Sequence, residues 1–269
     1  MPMFRLITLF LVFVFPVSAY STDCGDRLPD NNSIYRVNLI GVGVVTAWGV
    51  ANWDYFSRSP HAQPEGWFGA DTDEGGADKI GHLYSSFAVT HGLSAYFKSQ
   101  CFNHDDAAYY GALSSFVIMG YMELGDSFSD YGFSYEDFVS NVLGSLAGYY
   151  LYKNPSLANK LDIRWEYGFN PTDNDFTTDY ENSKYLLAIK FNGFEATRKG
   201  LLKHLELHLG YYSRGYDDAA ERDERNLYLG IGLNLTDLFR RNGYARTATL
   251  FNYYQLPGSY IEFKNDFNE

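Results

Sequence analysis

From Leu205 to Leu235 the sequence alternates with the two-residue period of a β-strand. Leu205, Leu207, Leu209 and Tyr211 fall on one side, Glu206, His208, Gly210 and Tyr212 on the other. After a polar stretch at 217–225, Leu227, Leu229, Ile231, Leu233 and Leu235 alternate with Tyr228, Gly230, Gly232 and Asn234. A helix scatters such a pattern around its circumference, whereas a pleated strand sorts it onto two faces. The polar stretch reads as a hairpin loop between two antiparallel strands. Residues 185–194, 248–254 and 260–267 are weaker strand candidates. Strands of this kind suit outer-membrane β-proteins, but about six at most can be counted, short of the eight usual for a closed barrel. The expectation is a small antiparallel sheet covering the rest of the chain.

Before about residue 165 the alternation is absent, and the chain is helical in pattern and rich in Gly, Ala, Ser and aromatics. Four helices are expected: 34–56, 78–96, one capped by Asp105 or Asp106 and running to about Phe128, and one from Ser134 to Tyr152. Ser134 with Asp137 three residues on forms a capping-box-like start, and Pro155 stops the helix. Short connections make a bundle the natural packing. The fold class is α+β: a helical bundle of about four helices over 20–160, then an antiparallel β region over 161–269.

Residues 1–19 carry one charge, Arg5, then an apolar run and the small-x-small sequence Val17-Ser18-Ala19. This is the pattern of a secretory signal peptide cleaved near Ala19. Asp23 before Cys24 makes a poor lipidation site. Export permits a disulfide between Cys24 and Cys101, the two cysteines of the sequence. Net charge is −12, and no long basic run occurs, which excludes a nucleic-acid binder. The 34–56 segment is long enough to cross a bilayer and equally suits a central bundle helix, apolar all round. Residues 80–97 and 107–122 are apolar enough to embed in part.

The chemistry-capable residues concentrate on three helices. Asp78 and His82 are four apart and share a face, with Lys79 beside them. Glu123 and Asp126 are three apart on the next helix, and Asp137 and Asn141 four apart on the last. Convergence of these faces allows three chemistries. One is a single divalent metal held by Glu123, Asp126 and His82, with Asp137 as a further ligand. Another is acid/base catalysis by His82 oriented by Asp78 or Asp137. The third is a binding pocket in which Lys79, Ser134 and Asn141 hold a ligand. A buried polar network, with Asp78 and Asp137 as helix caps, explains the same residues without chemistry. A di-metal bundle needs Glu-x-x-His pairs, and none is present. His204 and His208 flank a strand with no evident ligand partner.

Gly76-Ala77-Asp78-Lys79-Ile80-Gly81-His82 resembles the Asp-Lys-x-x-His signature of VanZ-like envelope proteins, and more closely that of the YfiM-like family of exported proteobacterial proteins. Glu123-Leu124-Gly125-Asp126, Phe133-Ser134-Tyr135-Glu136-Asp137 and Asn141-Val142-Leu143-Gly144 are similar to later elements of those families, in the same order. The resemblance implies an envelope protein of a Gram-negative bacterium, in the periplasm or at the outer membrane. It implies no reaction. Two functions follow as expectations: a structural or binding protein whose partner is a membrane or an envelope lipid or glycan, or a hydrolase or transferase acting on such a lipid or glycan through the His82, Asp and Glu cluster.

Overall fold

A computed structural model describes residues 24–168, 178–216 and 222–267. The expected signal peptide and the tip of the 217–225 loop lie outside them. Helices α1 (Asn32–Asn52), α2 (Ala77–Ser99), α3 (His104–Asp126) and α4 (Tyr135–Lys153) precede a short α5 (Pro155–Ala158). Strands β1 (Leu161–Tyr167), β2 (Ser183–Lys190), β3 (Leu205–Arg214) and β4 (Glu224–Leu233) follow, then α6 (Leu235–Arg241), α7 (Ala245–Leu250) and β5 (Tyr260–Asp266). The α+β class read from the sequence is the one observed. The chain forms two compact units: residues through 66 with 85–153, and residues 67–84 with 154–269.

In the helical unit the cap signals act as their chemistry requires. Asn103, two and three residues before the acids read as caps, accepts from the Asp106 backbone N–H at 2.8 Å. Ser134 Oγ accepts from the Asp137 N–H at 3.2 Å. Helix α1 is not a central helix: only Ser33, Val37, Gly41 and Gly49 along it are buried. Its length and composition suffice to cross a membrane. Val37, Leu93, Phe97, Phe102, Ala107 and Ile118 form an apolar cluster near one end of the bundle. Toward the centre, contact is made by small residues. A Cβ on Gly148 of α4 would lie 2.6 Å from Thr90 Cβ and 3.1 Å from the Phe87 carbonyl. Gly148→Ala is therefore expected to cost about 1–3 kcal/mol by overpacking, measured as a lowered urea midpoint.

In the second unit five strands pair in chain order, β1-β2-β3-β4-β5, all antiparallel. Strand β1 was not among the sequence candidates, although Leu161, Ile163 and Trp165 alternate with Asp162, Arg164 and Glu166. The 248–254 candidate is corrected: its first part belongs to α7, where Ala248 is buried, and Phe251, buried as well, caps the helix end. The sheet curls. Lys184 on β2 reaches Glu262 on β5 at 2.8 Å, across three strand spacings that would be about 14 Å on a flat sheet.

On the concave side of this curl Leu186, Ala188, Tyr212 and Tyr228 form a small buried cluster, surrounded by an unusual number of buried polar and charged groups. Asp162, Arg164, Glu166, Lys190, Glu206, His208 and Asn226 are buried on the concave side. The convex side carries aligned apolar rows, Leu161–Ile189–Leu207–Ile231–Ile261 and Ile163–Leu187–Leu209–Leu229–Phe263. The next row, Trp165–Tyr185–Tyr211, is aromatic. Residues 67–84 pack on it, with Tyr84 beside Trp165 and Tyr185, and Phe68 edge-on to Tyr211.

Candidate functional site

The residues singled out from the sequence divide between the two units. Asp78, Lys79 and His82 lie on the first two turns of α2, in the unit that contains the sheet. Lys79 is 2% exposed, and its Nζ donates to Asp78 Oδ2 at 2.5 Å. A buried ammonium is stable in this position because a carboxylate sits against it.

Glu123, Asp126, Ser134, Asp137 and Asn141 belong to the helical unit. Glu123, buried on α3, accepts from Asn141 Nδ2 at 2.7 Å. Asn141 Oδ1 in turn accepts from Ser86 Oγ at 2.8 Å. Ser115 Oγ donates to the Ser86 carbonyl at 2.9 Å, and Ser145 Oγ to Ser115 Oγ at 3.3 Å. The result is a ladder of polar groups through the centre of the bundle. Asn141→Leu is expected to lose about 1–3 kcal/mol by stranding Glu123 and Ser86, read from thermal melting in mild detergent.

Glu123 and Asp126 differ in their hydrogen bonds, and both act on the Tyr55 hydroxyl. While Glu123 turns to Asn141, the Asp126 carboxylate acts on the Tyr55 hydroxyl, which donates to the Met122 carbonyl at 2.9 Å. Burial first, then Asp126 and Glu123, pushes the Tyr55 hydroxyl far above its usual range, so it stays protonated. Ser134 and Asp137 sit at the start of α4 with Glu136, a residue sequence reasoning passed over. Glu136 is fully buried; its Oε1 accepts from the Gly66 N–H at 2.9 Å, and its Oε2 faces Ser134 Oγ at 3.4 Å. Only its adjacency to the Ser134 cap could have flagged it.

His91, on α2 within the helical unit, is half-buried against Phe87 and lies 3.1 Å from the Gly148 carbonyl through Nε2. Burial pushes its imidazole down to about 4, with the Gly148 hydrogen bond acting in the opposite direction. The native state therefore holds His91 neutral. The stability tied to that neutral form is fully present above the unfolded value of about 6.5 and is lost as pH falls through about 4. A slope of up to about 1.4 kcal/mol per pH unit is expected across that window, and His91→Gln should remove it from a urea-midpoint titration.

The second unit has a charged centre of its own. Arg164 NH1 donates to Glu206 Oε1 at 2.5 Å and to Gln255 Oε1 at 2.9 Å; NH2 donates to Asp162 Oδ2 at 2.8 Å. Lys190 Nζ donates to Asp162 Oδ1 at 2.7 Å. His208, read from the sequence as lacking a partner, places Nε2 2.9 Å from Glu206 Oε1. Burial opposes the Glu206 charge, but Arg164 and His208 outweigh it and hold the carboxyl below its usual range. Burial likewise pulls the Lys190 ammonium down, partly offset by Asp162. Alternation puts Glu206 and His208 on one face; it does not say that this face is turned inward.

Residues 64–153 match a family described as predicted periplasmic lipoprotein (DUF2279). The matched third of the chain contains every site residue singled out from the sequence. No curated protein and no solved structure matches the chain.

Proposed function

We propose that this chain is an exported cell-envelope protein with a structural or binding role, seated at a membrane through its helical unit. The disulfide between Cys24 and Cys101 carries the compartment, because such bonds persist in oxidising spaces and not in a bacterial cytosol. The signal-peptide pattern of residues 1–19 and the similarity to periplasmic lipoproteins support the same placement. The chain departs from that description at one point. Its two cysteines are both in the disulfide, so neither thiol is left to carry a lipid.

Membrane contact falls instead to the surface of the bundle. Its interior holds Ser86, Ser94, Ser115, Glu123, Asn141 and Ser145, while Leu113, Phe116, Val117, Leu143 and Leu146 are exposed. Small and polar residues between helices with aliphatic residues outside are the composition of helices packed in lipid. The structural or binding role is supported by the Ser86–Asn141–Glu123 ladder, whose members satisfy one another. Cell fractionation with thiol trapping tests this reading: an envelope-bound chain starting near residue 20 with both cysteines blocked is expected. A cytosolic chain with free thiols would refute it.

A second reading, a hydrolase or transferase on an envelope lipid or glycan, draws on the buried Asp78–Lys79 pair one turn before His82. In it His82 is general base, Asp78 or Asp137 orients it, and Glu123 with Asp126 binds one divalent metal. Turnover of envelope lipids or glycans that disappears in His82→Ala would establish this reading over the first.

A further inference from the structure

We propose that the convex face of the five-stranded sheet is a second membrane-contacting surface, lying on the acyl chains and anionic headgroups of a bilayer. The proposal rests on the membrane reading above and extends it to the other unit. Leu227, Leu229, Ile231 and Leu233 are about half exposed, and Ile261 and Phe263 are 70% and 69% exposed. The two apolar rows cross all five strands without one charged residue. Meanwhile Asp162, Arg164, Lys190, Glu206 and Glu262 point to the concave side, where they bond to one another or to Lys184. Burying charges while exposing leucines is unfavourable in water and favourable against hydrocarbon.

Charge selects the kind of lipid. The connections at the β2–β3 and β4–β5 end, residues 191–204 and 234–259, contain six Lys and Arg against two acids, Glu195 and Asp237. That end is +4, while the rest of the chain, from −12 minus +4, is −16. Leu201, 87% exposed, and Leu202 sit among these basic residues. A basic rim beside protruding leucines is complementary to a leaflet carrying anionic headgroups. The opposite end of the face closes with the aromatic row and then Ser183, Ser213 and Arg225. Among the described residues no strand pairs with the outer edge of β5. An open edge is not tolerated inside hydrocarbon, so the face rests at the headgroup–acyl boundary and does not span.

Hydroxyl-radical footprinting of the mature full chain, diluted from mild detergent with or without vesicles, tests this peptide by peptide. With phosphatidylcholine–phosphatidylglycerol vesicles, peptides covering 227–233 and 260–267 should become protected. Leu229→Asp with Phe263→Asp, both outward and exposed, should abolish that protection and leave the helical peptides protected. Each charge removed in Lys199→Gln, Arg240→Gln or Arg246→Gln should weaken sheet protection about fivefold. Protection of the helices with the sheet still labelled would overturn this proposal and spare the membrane reading. Labelling of both would refute both. Sheet protection that rises with protein concentration in the absence of vesicles would assign the face to a second copy and overturn the lipid proposal.

Discussion

Arg164→Ala is expected to be the most damaging substitution in the sheet unit, at about 3–5 kcal/mol. Arg164 is 1% exposed and donates to Asp162, Glu206 and Gln255. Truncation leaves the Glu206 carboxylate, fully buried, without its guanidinium and hydrogen-bonded to His208. The Coulombic gain of the intact group is largely cancelled by desolvation, so the loss measures the stranded partners more than the bond itself. Arg164→Met combined with Glu206→Leu should therefore recover most of the stability lost in Arg164→Ala. Urea unfolding followed by tyrosine and tryptophan fluorescence checks both. An Arg164→Ala midpoint equal to wild type would mean that water enters the concave side and satisfies the acids.

Opening the disulfide is expected to cost about 4 kcal/mol. Cys24 and Cys101 are 77 residues apart, and the bond ties the stretch before α1 to the loop after α2. Closing so long a loop removes much entropy from the unfolded chain, and the loss on reduction falls on the helical unit. Cys24→Ser with Cys101→Ser should match the reduced wild type. A thermal scan with and without reductant reads it; a reduction effect that survives in the double serine variant would show that some other step is being measured.

The helical half was legible because its signals are local. Ser134 and Asp137 form their cap in four consecutive residues, and Pro155 opens α5 where α4 was expected to stop. The strands at 205–214 and 224–233 were legible for the same reason: strict period two needs no partner to be seen. Strand β1 went unread because Asp162, Arg164 and Glu166 look like a solvated edge until Glu206 and Gln255 supply their partners from 42 and 91 residues away. The same distance hid the charged centre. Within the candidate site, the ladder required Ser86 and Ser115, residue types too common to stand out, while Asn141 and Glu123 were visible as polar breaks in apolar helices.

The strand order has a consequence for how the sheet is made. Each of the five strands pairs along its length with its neighbour in the chain, and β1 adds a single bridge from Trp165 to Tyr254. A chain emerging amino-terminus first can add β2 to β1, β3 to β2 and so on as each arrives, with the Trp165–Tyr254 bridge and the Arg164–Gln255 hydrogen bond left to close last. Local pairing of this kind lowers contact order and speeds assembly. It also means that the growing edge always presents a template for the next strand of the same chain, and that among the described residues the last strand made, β5, ends the sheet with no strand beyond it.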